Sequence, residues 1–413
     1  MKTLKLSVLL ALLVAALSLT ALADDNSGRI YGKIYTVDGD VLEGLIRWDK
    51  NEGNWVDLLD GTKEEPRNKR KSKSERKRYG DRGRKSIEIF GVSISGGSVT
   101  YSGSAQSGIR FGHIQKMEVV GDDEVLLTLK SGQEVELSQG STDIGENIRE
   151  IVIEDANEGE LELIWDDIDY IELMPAGTSE ESNFGQRLYG TLTTRRGDEF
   201  TGYICWDVDE IFTRDILDGE TRGRSRKIKF DKIKSIARYS SNGATVTMDD
   251  GDEILLRGTN DVNDSNSGII VGDNNLGQVI VRWDEFEKVV FTTPSSQVKY
   301  ADFDGGRKLE GTVYTEDGDS YTGEIIWDND EEFTWEILDG ENHDVEFDVE
   351  FSKIKSIDKK SYRSSLVTLL DGRQFRLSGS NDVDEDNKGI WIVTSDGEEI
   401  EVDWEDFAKV EFK

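Results

Sequence analysis

The chain has 413 residues, with 85 acidic residues against 50 basic ones and a formal charge of −35. Such a surface repels nucleic acid, anionic lipid and acidic polymers, and it attracts cations and basic partners. Although 33% of the residues are charged, 9% are aromatic and the apolar residues alternate, which excludes a disordered polyanion.

The N-terminus reads as a secretory signal peptide over residues 1–23. Lys2 and Lys5 precede an apolar run from Leu6 to Leu19, and Ala21-Leu22-Ala23 is a small-residue cleavage site. Cleavage there leaves 390 of the 413 residues, and losing Lys2 and Lys5 takes the charge from −35 to −37. The apolar run is short for a membrane anchor. No cysteine follows the site to carry lipid, and no later stretch is apolar enough to span a bilayer. The expected location is periplasmic or extracellular. Cys205 is the single cysteine, expected as a strand thiol without a partner.

Internal repetition organises the rest. Three segments open alike at Tyr31-Gly32, Tyr189-Gly190 and Glu310-Gly311. Each continues through a turn glycine (Gly39, Gly197, Gly318) to a strand ending in Trp-Asp: Trp48-Asp49, Trp206-Asp207, Trp327-Asp328. Each then reaches Leu-Asp-Gly, at Leu59, Leu217 and Leu338. The second half of each repeat opens with alternating apolar residues around Asp-Gly or Ser-Gly, as in Val367 to Leu377. That pattern predicts antiparallel hairpins with one face buried. The boundaries are repeat 1 over 24–174, repeat 2 over 188–293 and repeat 3 over 308–413, with linkers at 175–187 and 294–307.

Every half-repeat closes on an aromatic with apolar residues three and six places on. The six are Phe111-Ile114-Met117, Trp165-Ile168-Ile171, Phe230-Ile233-Ile236, Trp283-Phe286-Val289, Phe351-Ile354-Ile357 and Trp404-Phe407-Val410. This spacing suits a 3₁₀ turn running into a strand, all three side chains buried. Here the pattern resembles the small five-stranded barrels of the Sm-like and Src-homology type. The resemblance implies an all-β chain of three tandem repeats, each of two small five-stranded barrel-like units. It is one of fold and carries no function. Where Sm-like proteins grip RNA, this chain has Asp328, Glu331 and Glu332, so no RNA-binding residue is carried over. Two rival architectures are a single sandwich or barrel per repeat and a six-bladed propeller.

Repeat 1 carries an insertion at about 62–101. Its segment Arg67 to Lys85 holds 11 basic and two acidic residues. Arg67, Lys69, Arg70, Lys71, Lys73, Arg76, Lys77 and Arg78 are the candidates for a polyanion or partner clamp. The targets would be an acidic protein or another copy, an acidic polysaccharide, or envelope lipid phosphates. The same position is basic in repeat 2 (Arg222, Arg224, Arg226, Lys227, Lys229) and acidic in repeat 3 (Glu341, Asp344, Glu346, Asp348).

The loops starting at Asn381 and Asn260 offer oxygens at alternate positions. Asp382, Asp384, Asp386, Asp261 and Asn263 are calcium candidates, against the reading that their side chains serve their own backbone. Arg196-Gly197-Asp198 reads as a hairpin turn. Trp55 and Trp335, lacking a counterpart in repeat 2, are candidates for a sugar-stacking surface. Two unrelated histidines and no nucleophile or phosphate-loop motif argue against an enzyme. The sequence reads as a non-enzymatic binding or scaffolding module of the cell envelope, with a calcium- or carbohydrate-binding adhesion module as the alternative. A carboxylate-based hydrolase is the third reading.

Overall fold

A computed structural model describes residues 25–64, 104–177 and 182–413. Residues 1–23, expected to be a signal peptide, and the clamp candidates of the insertion lie outside the described residues. The described residues form thirty antiparallel strands in three sheets, with single-turn 3₁₀ helices between them. Among them no helix is long and apolar enough to cross a membrane.

Repeat 1 supplies ten strands: β1 (Tyr31–Thr36), β2 (Val41–Trp48), β3 (Leu58–Glu64), β4 (Ser104–Arg110), β5 (Ile114–Gly121), β6 (Glu124–Leu129), β7 (Glu134–Ser138), β8 (Ile151–Asp155), β9 (Gly159–Leu163) and β10 (Ile168–Leu173). Their order in the sheet is β4-β3-β7-β6-β5-β10-β1-β2-β8-β9. All-β repeats with five strands per half are therefore present, but not as two closed barrels. The halves interleave, because β3 pairs with β7, β2 with β8, and β10 with both β1 and β5. Each half completes the other, so a repeat is one open sheet around one core.

Repeat 2 runs in the same order from β11 (Tyr189–Thr194) to β20 (Phe286–Phe291), and repeat 3 from β21 (Glu310–Thr315) to β30 (Phe407–Phe412). One hairpin breaks the symmetry. In repeat 3, β23 (Ile337–Asn342) and β24 (Val345–Glu350) extend the sheet of repeat 2. There β24 pairs with β19 (Gly277–Val281), from Gly277 opposite Val349 to Val281 opposite Val345. The β23 strand keeps a single bridge, Glu341 to Ser378, to its own repeat. The cores of repeats 2 and 3 are continuous through this hairpin: the Phe347 ring meets Phe200 at 5.8 Å and Phe375 at 4.8 Å.

The closing elements behave as their spacing predicts. All eighteen side chains are buried, the most accessible being Trp404 at 4%. Four of the six elements begin in a 3₁₀ turn, at Phe111, Trp165, Phe230 and Phe351, and then enter a strand. Each such buried aromatic or aliphatic side chain contributes about 1.5–3 kcal/mol of transfer free energy. A disulfide-free chain gains its stability from burial of this kind.

A repeated acid ties neighbouring repeats together. Asp57, Asp215 and Glu336 each accept two backbone N–H groups of their own loop. Each also meets a base from another part of the chain. Arg187 lies 3.0 Å from Asp57, Arg47 lies 2.9 Å from Asp215, and Lys63 pairs with Glu336.

Candidate metal centres: three buried carboxylate triads

The strands β2, β12 (Glu199–Trp206) and β22 (Ser320–Ile326) run out at the Trp-Asp pairs. There the chain reverses through two consecutive residues in the left-handed region: Asp49 and Lys50, Asp207 and Val208, Asp328 and Asn329. Few non-glycine residues adopt this backbone, and a β-branched Val208 does so least readily. The reversal turns the aspartate inward, leaving Asp49 and Asp328 at 0% exposure and Asp207 at 4%. It also brings a glutamate three residues on beside it: Glu52, Glu210 and Glu331, each bridged to the tryptophan before the turn.

A third carboxylate arrives from the loop after the seventh strand of the repeat. The tryptophan fixes it. Trp48 Nε1 donates to the Asp143 carbonyl at 3.0 Å, Trp206 to Asp261 at 2.9 Å, and Trp327 to Asp382 at 3.0 Å. The carboxylates of Asp143, Asp261 and Asp382 accept the backbone N–H of Asp60, Asp218 and Asp339. Each repeat thus builds one triad: Asp49, Glu52 and Asp143; Asp207, Glu210 and Asp261; Asp328, Glu331 and Asp382. In repeat 3, one oxygen from each of the three carboxylates lies within 4.8 Å of the others.

Two members of each triad have backbone duties, and the glutamate does not complete its own hydrogen bonds. Glu52 Oε2, Glu210 Oε2 and Glu331 Oε2 are buried atoms with no hydrogen-bond partner. Glu52 as a whole is 2% exposed, and beside Asp328 the 7% exposed Asp330 leaves Oδ1 equally unpartnered. A buried acceptor without a donor or cation is costly.

The charge state follows. Burial raises Glu210 to about 11, with Asp209 and Asp261 adding to it. Burial likewise lifts Asp207 and Asp261 to about 6 each. Glu52, Asp143, Asp328, Glu331 and Asp382 are all pushed up, first by burial and then by neighbouring carboxylates. Such sites hold protons or metal ions, and hard cations take oxygen ligands of this type.

The triads differ in their built-in cations. Arg149 lies 2.9 Å from Asp49, and Lys388 lies 3.3 Å from Asp328 and 3.4 Å from Asp330. The equivalent residue in repeat 2 is Ser267, which serves Asp207 through its backbone N–H and its hydroxyl and brings no charge. No basic side chain figures among the influences on Asp207, Glu210 or Asp261.

Of the sequence candidates, Asp382 and Asp261 fall in the triads. The expectation that the loop residues converge on one ion is corrected for two of them. Asp384 Oδ1 accepts the N–H of Asp386, and Asn263 Oδ1 that of Ser265, so both cap their own turns. Asp386 lies on the exposed side of that turn. Trp55 and Trp335 are 0% and 1% exposed and offer no stacking face. Both are packed into the core of repeat 1, where Trp55 meets Tyr300 at 4.5 Å and Trp335 Nε1 donates to Gln133. They lack a repeat 2 counterpart because they fill junctions between repeats. Arg196-Gly197-Asp198 forms a hairpin turn with Gly197 at φ 91°. Sequence reasoning missed Glu52, Glu210 and Glu331. Their signal is the threefold recurrence of Trp-Asp-x-x-Glu.

More carboxylates gather where repeats 1 and 3 meet. Asp60, Asp339 and Asp348 line one cavity with Lys63 and Glu336. Asp339 and Asp348 face each other across the β23–β24 hairpin, and burial raises all three. Comparison with known proteins returns no matching family model, no matching curated protein and no matching solved structure.

Proposed function

We propose that this chain is an exported, non-enzymatic binding module of the cell envelope that loads hard divalent cations, calcium foremost, at its three carboxylate triads. The observation that carries the reading is the unpartnered buried glutamate oxygen that recurs in all three repeats, together with the convergence of three carboxylate oxygens within 4.8 Å in repeat 3. An acyl or phosphoryl transfer site needs a nucleophile or a base set apart from its neighbours. The same three carboxylates recur in all three repeats, and the two aspartates of each are anchored by backbone N–H groups. That favours a structural or binding role over catalysis.

Terbium luminescence tests the reading directly. Trp48, Trp206 and Trp327 hydrogen-bond within the triads and would sensitise a bound ion. Chelator-treated protein at about pH 7.5, where unburied carboxylates are ionised, should show tryptophan-sensitised terbium emission that calcium displaces. Calorimetry should give saturable calcium heats. Flat titrations with both ions overturn the proposal.

The basic insertion supports a second binding element. The insertion joins β3 to β4 in sequence, and these two strands pair as far as Glu64 opposite Ser104. A segment of that charge suits an acidic polysaccharide or another polyanion. Retention on a polyanion column that is unchanged by deletion of 67–85 removes this role.

A further inference from the structure

Within the chain, β24 of repeat 3 completes the edge of repeat 2 by pairing with β19. The same two edges recur one repeat earlier and have no strand partner among the described residues: β9 ends the sheet of repeat 1, and β14 (Arg224–Lys229) ends that of repeat 2. Where the contact is made, every residue of β19 is buried, and so are five of the six in β24. Where it is not made, no residue of β9 is buried, and only Ile228 in β14. Unpaired edges offer a ladder of free N–H and C=O groups to another strand.

We infer that β9 of one copy of this protein adds to β14 of a second copy, in the register that β19 and β24 use within the chain. Gly159 lies opposite Asp155 as Gly277 lies opposite Asp273, which aligns β9 with β19. Ile228 lies opposite Leu217 as Val349 lies opposite Leu338, which aligns β14 with β24. The transferred register sets Gly159 against Ile228, Glu160 against Lys227 and Glu162 against Ser225.

Two features favour β9 over the other acidic edge, β29 (Glu399–Val402). First, the β19–β24 contact is so close that a Cβ on Gly277 would lie 1.9 Å from the Asp348 carbonyl oxygen. At this position β9 has Gly159, with nothing within 4 Å of its Cβ direction, whereas repeat 3 has Glu398. Second, the polar pair that spans the internal junction, Gln278 to Asp348 at 2.7 Å, becomes Glu160 to Lys227, an ion pair. The face of β14 that holds Ile228 also carries Arg224 and Arg226, whose aliphatic stems would cover Leu163 and Leu161. Charge on an edge strand ordinarily prevents pairing with a like copy, but opposite charges on two different edges select the partner.

The test is sedimentation velocity of the full mature chain at about 50 mM and about 500 mM salt, which brackets strong and weak screening. Wild type should self-associate at low salt and less so at high salt. Lys227→Glu and Glu160→Lys, each alone, should weaken association about tenfold, since each sets like charges opposite one another. The double variant Lys227→Glu/Glu160→Lys should recover it. Both residues are exposed in their strands, and unchanged melting curves will confirm folding. Deletion of 67–85 should leave the association in place. A monomeric wild type at low salt, single reversals that associate normally, a double variant that does not recover, or an association lost on deleting 67–85 would each overturn the inference.

Discussion

Arg110 Nε lies 3.2 Å from Glu350 Oε2, and both side chains are buried, at 0% and 1% exposure. The same guanidinium donates to the carbonyl of Asp273 at 2.7 Å and to that of Asn274 at 3.3 Å. Arg110 belongs to repeat 1, the carbonyls to repeat 2 and Glu350 to repeat 3. Burial alone would raise the Glu350 carboxyl. Arg110, His113 and Lys353 outweigh it and hold the group below the usual carboxylate range. One buried ion pair therefore joins all three repeats.

Removing one partner from such a pair is far worse than removing both. Arg110→Met takes away the nearest of Glu350's counter-charges, leaving the more distant Lys353 and His113, and should cost up to about 3–5 kcal/mol in urea unfolding. The double variant Arg110→Met/Glu350→Leu should regain at least half of that loss. A double variant as unstable as the single one would show that the two carbonyl bonds of Arg110, rather than the ion pair, hold the junction.

The triads predict an unusual pH dependence. Asp207 and Asp261 titrate at about 6 in the folded protein, and Glu210 at about 11. All three lie above their unfolded values, so the folded state binds more protons than the unfolded chain. Their contribution is complete below the ordinary carboxylate pKa and is lost as pH rises through the folded values. Glu350 acts in the opposite sense, but its contribution changes only in acid. Lys130, lowered to about 8 chiefly by burial, acts only at higher pH. Metal-free protein should therefore melt at a lower temperature at about pH 7.5 than at about pH 5.5, and calcium at the higher pH should reverse the loss. A melting temperature that rises over this interval without calcium contradicts the carboxylate assignment.

The repeat and its buried aromatics were legible because local spacing encodes them. Phe230-Ile233-Ile236 must be buried together in any β fold that accommodates a 3₁₀ turn before a strand. The triads were half legible. Asp261 and Asp382 stood out in acidic loops, but their glutamate partners lie some fifty residues earlier in the sequence. Only the pairing of β12 and β22 with the strands after those loops brings the two together. The crossing of β24 to repeat 2 was not legible at all, since a hairpin with the same apolar pattern fits its own sheet or a neighbour's. Its one trace was the change of sign between Arg224-to-Lys229 and Val345-to-Glu350. The acidic version is buried against repeat 2, with Arg282 2.6 Å from Glu346, and the basic version is exposed.

Ser267 is the position at which the three triads can be made alike. Lys388 and Arg149 supply a positive charge to their triads from within the chain, and repeat 2 has a hydroxyl there instead. Ser267→Lys should place an ammonium beside Asp207, as Lys388 sits beside Asp328. In chelator, the variant should melt higher than wild type, because a like-charged buried cluster gains a counterion. Its terbium emission should fall and the calcium affinity of the repeat 2 triad should drop at least tenfold, since the ammonium competes for the same oxygens. The reciprocal change, Lys388→Ser, should lower stability in chelator and increase the stabilisation that calcium gives. Should Ser267→Lys bind terbium and calcium as wild type does, the repeat 2 triad does not load an ion.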